Sequence, residues 1–176
     1  MVIWLNGPFG VGKTATATEL ASGLPDARLF DAEAVGYLLM AVLADHTFSD
    51  FQELPPWRTL VPAVTSEIAR FTGQHLLATQ SVLNEAYWNE LRQGFSQHAL
   101  DVFHVVLHAG PEVLAQRIRA DQQDQQARQW RLDHISDYLA ARDWMEAAAD
   151  LVIDSTALGV PEAASSIRQA VGPRLT

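Results

Sequence analysis

The chain has 176 residues, is 48% hydrophobic, contains no cysteine and carries a formal net charge of −9. This length and apolar content predict one globular domain, residues 1–176, with a sizeable core; the missing cysteines exclude disulfides and thiolate chemistry, and the acidity argues against a nucleic-acid surface, which needs a basic footprint. No apolar run reaches the ~20 residues of a membrane span, and the first strand leaves no room for a signal peptide before it, so a cytoplasmic protein is expected.

Val2-Ile3-Trp4-Leu5 reads as a buried strand. Gly7 to Thr14, Gly-Pro-Phe-Gly-Val-Gly-Lys-Thr, follows at once and fits the Walker A pattern G-x-x-x-x-G-K-[ST]. Residues 14–24 then show helical apolar spacing, so the motif lies between a strand and a helix, where a phosphate-binding loop must lie. The glycines let the backbone wrap with its N–H groups turned inward, and the helix N-terminus adds partial positive charge. Expected nucleotide contacts run through Gly7, Phe9, Gly10, Val11, Gly12, Lys13, Thr14 and Ala15. Lys13 is expected on the β- and γ-phosphates, and the Thr14 hydroxyl on Mg²⁺.

Strands and helices then alternate, which predicts a parallel α/β sheet. Residues 27–30 read as a second strand ending at Asp31, and 33–44 as a helix. Residues 45–56 read as a loop holding Pro55-Pro56, and 57–71 as a helix with Pro62 as a kink or boundary. The third strand is expected at 75–82, a helix at 85–98, the fourth strand at 102–107 and a helix from about residue 112. A polar, Gln-rich stretch at 121–131 precedes a helix at 133–149, a fifth strand at 151–153 and a last helix at 161–171.

Several side chains suggest chemistry beyond the loop. Asp31 and Glu33 sit at the carboxyl end of the second strand, where open α/β sheets bind ligands. Asp31 could accept a proton from an attacking hydroxyl, and Glu33 could contact the substrate; equally, Asp31 could cap the next helix and Glu33 be first-turn charge. In the loop that follows, Asp50, Gln52 and Arg58 are candidate substrate contacts, with Arg58 clamping an anionic group. Trp57 and Phe51 either stack on a ring or plug a helix pair. Arg117 lies near an apolar helix face, where an arginine needs a base or a phosphate. Arg128 and Arg131 border the Gln-rich stretch, a lid candidate over about 119–131, and read either as catalytic arginines or as a solvated helix face. Ser155 and Thr156 follow the fifth strand, either beside an adenine or as helix caps. His104 and His108 are four strand residues apart, ~13 Å, too far for one zinc ion. No acid ends the third strand, so no Walker B carboxylate is visible. No Asn-Lys-x-Asp follows the fourth strand, which favours ATP over GTP.

Three blocks together carry a family resemblance: residues 3–14, residues 30–36, and Asp50-Phe51-Gln52 with Trp57-Arg58. The chain resembles the tunicamycin-resistance ATP-binding protein family. More broadly, it is similar to P-loop kinases of small molecules such as shikimate kinase, chloramphenicol phosphotransferase and the nucleoside monophosphate kinases. The resemblance implies a five-stranded parallel sheet in the order 2-3-1-4-5. It also implies an acceptor site within about residues 31–72, a lid before the fifth strand, and ATP with Mg²⁺. It matches Asp31 to an acid that contacts the acceptor, and Arg117 to an arginine that covers the adenine. A second arginine four residues later is replaced by Asp121. Two functions are expected from this reading. One is an ATP-dependent phosphotransferase acting on a small-molecule hydroxyl, such as that of tunicamycin or another nucleoside-like antibiotic. The other is an ATP-dependent protein that binds and sequesters the drug.

Overall fold

The structure, a computed structural model, describes residues 1–122 and 125–175. Five parallel strands form one sheet in the order β2-β3-β1-β4-β5. They are β1 Val2–Asn6, β2 Ala27–Asp31, β3 His75–Thr79, β4 Val102–His108 and β5 Leu151–Asp154. The predicted order is therefore the observed one. β1 is buried at every position, as a central strand covered on both faces must be. β2 is largely exposed, as befits an edge. Because β1 pairs with β3 on one side and β4 on the other, the strand order reverses beside its carboxyl end. That reversal opens the crevice in which such sheets hold ligands.

Helices cover both faces. Helix α1 (Lys13–Ser22) and α7 (Val160–Val171) pack against Ile3, Leu5, Leu77 and Val105 through Ala17, Leu20, Ile167 and Val171. Helix α5 (Pro111–Ala120) and α6 (Arg128–Ala147) extend this layer with Leu114, Tyr138 and Met145. On the other face lie α2 (Glu33–Val42), α3 (Pro55–Thr72) and α4 (Glu85–Gln97). There Trp4 meets the rings of Trp88 and Phe95 at centroid distances of 5.7 and 5.8 Å. Among the described residues, no helix is long and apolar enough to cross a membrane.

Several boundaries differ from expectation for physical reasons. Pro55 and Pro56 open α3 instead of ending a loop, because a first-turn residue needs no amide donor. The helix then runs on through Pro62. β3 stops at Thr79, three residues early, because Val82 gives its amide and carbonyl to the Asn6 side chain. α6 begins at Arg128, five residues early. Part of the expected lid, Gln123 and Asp124, lies outside the described residues.

Candidate functional site

The loop from Asn6 to Lys13 is pinned from below. Asn6 is fully buried, and its Oδ1 accepts from Gly7 N and Val82 N, each at 2.9 Å. Its Nδ2 donates to Val82 O at 3.1 Å. Gly10 has φ 77°, and a Cβ there would lie 2.8 Å from Ile118 Cγ1, so both the left-handed backbone and the packing select glycine. Ser155 braces the far flank. Its Oγ lies 3.0 Å from His108 O and 3.3 Å from Val11 O, and Arg117 donates to Ser155 O at 2.7 Å.

The loop lines a cavity of about 430 Å³ through Phe9, Gly10, Gly12, Lys13, Thr14 and Ala15. Glu33 and the β3 end, Thr79 to Ser81, form a second wall; Arg117, Asp121 and Arg131 form a third. Lys13 Nζ donates to Gly7 O and Pro8 O at 2.9 Å and to Ser81 Oγ at 2.7 Å. Burial pushes the Lys13 ammonium down to about 7; nearby Glu33 opposes that shift and Arg131 adds to it. Arg131 Nη1 donates to Asp121 Oδ2 at 2.8 Å, joining the start of α6 to the end of α5.

A second cavity of about 210 Å³ shares Phe9, Glu33, Gln80 and Arg131 with the first. Tyr37, Asp50, Gln52 and Trp130 complete much of its wall. A further space of about 260 Å³ continues past Asp50 and Gln52 to Asn84, Tyr87 and His134. Phe9 and Trp130 pack with ring centroids 4.9 Å apart, and Trp130 and His134 at 4.0 Å. Asp50 caps the short 3-10 turn Phe51–Glu53 by accepting from Gln52 N at 2.7 Å. Burial raises its carboxyl above the usual range, and the Gln52 bond works the other way. Gln52 Nε2 in turn donates to Ser81 O at 3.1 Å.

The predicted residues divide on this geometry. Phe9, Gly10, Gly12, Lys13, Thr14, Ala15, Glu33, Arg117 and Arg131 line the first cavity; Asp50 and Gln52 line the adjoining ones. Others lie elsewhere. Asp31 is exposed and accepts from Glu33 N at 2.9 Å, the capping role, outside the lining of these cavities. Trp57 is fully buried, its Nε1 donating to Ala32 O at 3.0 Å, so it is core. Arg58 is 8% exposed. It is held by Glu90 at 2.6 Å and by Gln52 O, and stacks 4.2 Å from the Tyr87 ring, so its charge serves the fold and not an anionic substrate. Arg128 donates to Asp121 O at 3.2 Å and lines none of these cavities. Gly7 and Val11 form the buried base of the loop. Ser155 braces it, and Thr156 accepts from Gly110 N.

Sequence reasoning missed Asn6, Tyr37, Gln80, Ser81, Trp130 and His134 as site residues. One signal was available: Trp130 and His134 sit four apart on a polar helical stretch, a spacing that puts both on one face.

The donor set suits a nucleoside triphosphate. It combines a glycine loop at a helix start with one lysine and two arginines around a single cavity. Thr14 and Glu33 offer a hydroxyl and a carboxylate in that same cavity. Among the described residues, no group of three His, Cys, Asp or Glu could hold a metal, so Mg²⁺ would keep mostly water and phosphate oxygens as ligands.

Comparison with known proteins agrees with this architecture. Residues 2–142 match the AAA domain family. The tunicamycin resistance protein of Deinococcus radiodurans is 32% identical, with a TM-score of 0.78 over 97% of this chain and 95% of that one. A sugar kinase from a Janibacter species, 18% identical, has a TM-score of 0.70 over 97% and 94% of the two chains. Shikimate kinase from Bacteroides thetaiotaomicron, 17% identical, has a TM-score of 0.64 over 98% of each. These two show a shared fold. No curated protein gives a significant match. The chain thus belongs to the AAA domain family and is a relative of the Deinococcus radiodurans tunicamycin resistance protein.

Proposed function

We propose that the protein is an ATP-dependent phosphotransferase acting on a hydroxyl of a small molecule, with a nucleoside-like antibiotic such as tunicamycin as first candidate. The supporting observation is the junction of two cavities: the phosphate loop's cavity opens onto a second one across Phe9, Glu33, Gln80 and Arg131. A donor phosphoryl group and an acceptor hydroxyl can meet there, and phosphoryl transfer is chiefly positioning plus charge stabilisation.

Lys13 leaves some of its loop carbonyls to bind the β- and γ-phosphoryl oxygens, and Arg131, steadied by Asp121, supports the γ-group from the lid side. Arg117 flanks the base end. Thr14 would offer its hydroxyl to a bound Mg²⁺, which would supply charge neutralisation for the phosphoryl oxygens. Glu33 takes the proton from the acceptor hydroxyl as that oxygen bonds to phosphorus and the bridge to ADP breaks. This gives Glu33 the role first assigned to Asp31, because only Glu33 lines both cavities. Asp50 and Gln52 orient the acceptor.

One observation favours drug sequestration without turnover: the end of β3 carries Gln80 and Ser81 where an acid would assist the metal. ADP release by purified protein, with tunicamycin, nucleosides and sugars as acceptors, decides between the two. Glu33→Gln should retain ATP binding and lose turnover by ~10²-fold; Asp31→Asn should keep most of it. Lys13→Ala should abolish tight nucleotide binding. Coupled binding of drug and nucleotide with no phosphorylated product by mass spectrometry would establish sequestration instead.

A further inference from the structure

Ser81 is a buried serine placed where the nucleotide's terminal phosphate must come. It follows β3, is 4% exposed, and lines both the phosphate-loop cavity and the space that reaches Asn84 and Tyr87. Its Oγ accepts from Lys13 Nζ at 2.7 Å, while the same ammonium donates to Gly7 O and Pro8 O. Thr14 and Thr79 also bring hydroxyls to the phosphate-loop cavity. Among the described residues that line it, Ser81 is the one hydroxyl bonded to Lys13.

The backbone on either side of this hydroxyl is held. Gln80 N donates to Leu5 O at 3.2 Å, Ser81 O accepts from Gln52 at 3.1 Å, and the Val82 amide and carbonyl both bond to the Asn6 side chain. The hydroxyl keeps one freedom, rotation about Cα–Cβ among staggered wells. The lysine of a phosphate loop holds β- and γ-phosphoryl oxygens. A charge-assisted bond from Nζ to such an oxygen is ~2.8 Å long, so that oxygen lies at most about 5.5 Å from Ser81 Oγ. Attack on phosphorus needs ~3–3.5 Å, a gap that rotation of one side chain and seating of the nucleotide can close.

Two lesser roles use the same contacts. The serine can park Lys13 until a nucleotide arrives, or face the metal where β3 ends without an acid. Both leave the hydroxyl chemically intact, and neither calls for a carboxylate nearby. Glu33 nonetheless stands in the same cavity, close enough for its charge to act on Lys13. A hydroxyl nucleophile, a phosphate-binding lysine and a carboxylate to take the proton are the parts that phosphoryl transfer to an alcohol requires.

We propose that Ser81 is an autophosphorylation site, taking the γ-phosphoryl group of ATP when the acceptor cavity is empty. Ser81 Oγ bonds to the γ-phosphorus as the bond from that phosphorus to the β–γ bridging oxygen breaks. The electron pair leaves with ADP, and the hydroxyl proton passes to Glu33 and on to solvent. The product is a phosphoserine whose charge faces Lys13 and Arg131, two cations that line this cavity. It fills the γ-phosphoryl position, so the modified protein no longer takes ATP. A bound acceptor competes for the same phosphoryl group, and the protein therefore silences itself only when idle. The inference rests on the phosphotransferase reading for its donor but needs no acceptor.

The test is intact-mass and peptide mass spectrometry of the full-length protein after incubation with MgATP alone. Ser81 should gain one phosphoryl group, with ADP formed in equal amount. Neither should appear with Lys13→Ala, and Ser81→Ala should show no mass gain. Fully modified wild type should lose measurable MgATP binding by calorimetry; retained binding overturns the self-silencing. An unmodified Ser81 in protein that binds MgATP overturns the site itself. So does a phosphoryl group that maps to another residue, or an undiminished mass gain in Ser81→Ala. If tunicamycin, a nucleoside or a sugar is phosphorylated while Ser81 stays unmodified, the phosphotransferase reading stands and this inference fails. If Ser81 is modified while none of those acceptors is, the inference stands and the small-molecule acceptor reading fails. Absence of MgATP binding overturns both.

Discussion

Asn6 uses its full amide on the phosphate loop and on the strand beyond it. Asn6→Ala strands two buried N–H groups and a carbonyl, so a loss of about 3 kcal/mol is expected, since each unmet group costs ~1–3 kcal/mol. Urea unfolding measures that loss, and ATP titration should show a parallel fall in affinity. Lys13 gives a pH signature. Its ammonium titrates near 7, so at pH 8 it is mostly neutral. A bound triphosphate restores the charge, and binding at pH 8 should take up about one proton, falling toward none at pH 6. Calorimetry in two buffers of different ionisation enthalpy reads this directly; equal proton uptake at pH 6 and pH 8 would place the titrating group elsewhere.

At this scale legibility was uneven. The loop motif fixed Lys13 and Thr14, because the spacing itself is the chemistry. Asp31 and Glu33 are two positions apart at a strand end and helix start, and a one-dimensional pattern does not say which carboxylate turns inward. Trp57 and Trp130 are equally aromatic in sequence; tertiary packing alone buries one and leaves the other 43% exposed beside Phe9.

Among the elements, the pairing of α5 with α6 matters most. Asp121 breaks a double-arginine pattern along one helix, yet the fold brings Arg131 from the next helix to the cavity and joins it to Asp121. The second cation is supplied from another element, which a helical spacing argument cannot see. Arg131→Ala alone should therefore lower turnover at least tenfold, as loss of a charge-assisted contact worth ~1.5–3 kcal/mol implies, and Arg128→Ala should fall well short of that. Steady-state kinetics on the two single variants checks this; equal losses would return Arg128 to the site.

Across the whole molecule, the alternation of apolar runs with helical spacing was enough to give the sheet, since parallel strands buried on both faces leave that trace. The order of strands came only through family resemblance. The packing of His104 was not legible. It stacks on Trp88 at 4.0 Å, its Nδ1 lies 3.1 Å from Ala148 O, and its Nε2 has no hydrogen-bond partner among the described residues. Burial holds its pKa down to about 4, below the free value of 6.5. The unfolded chain therefore takes up this proton first as pH falls. Stability from this source is full above about 6.5 and is lost progressively down to about 4, roughly 3 kcal/mol in all at 1.36 kcal/mol per pKa unit. His104→Gln should flatten that part of the stability profile between pH 7 and pH 4; parallel profiles would place the acid sensitivity elsewhere.

Ser81 touches both halves of the site: its hydroxyl receives Lys13, and its carbonyl receives Gln52. A nucleotide that draws Lys13 off that hydroxyl changes the residue on which the Gln52 loop hangs. Occupancy of either side is then felt on the other, and thermodynamics requires the effect to be mutual: whatever factor ATP adds to acceptor affinity, the acceptor must add to ATP affinity. Ser81→Ala should bring that shared factor toward one. The two ligands would then bind as strangers, while the Gln52 bond to the Ser81 carbonyl stays in place.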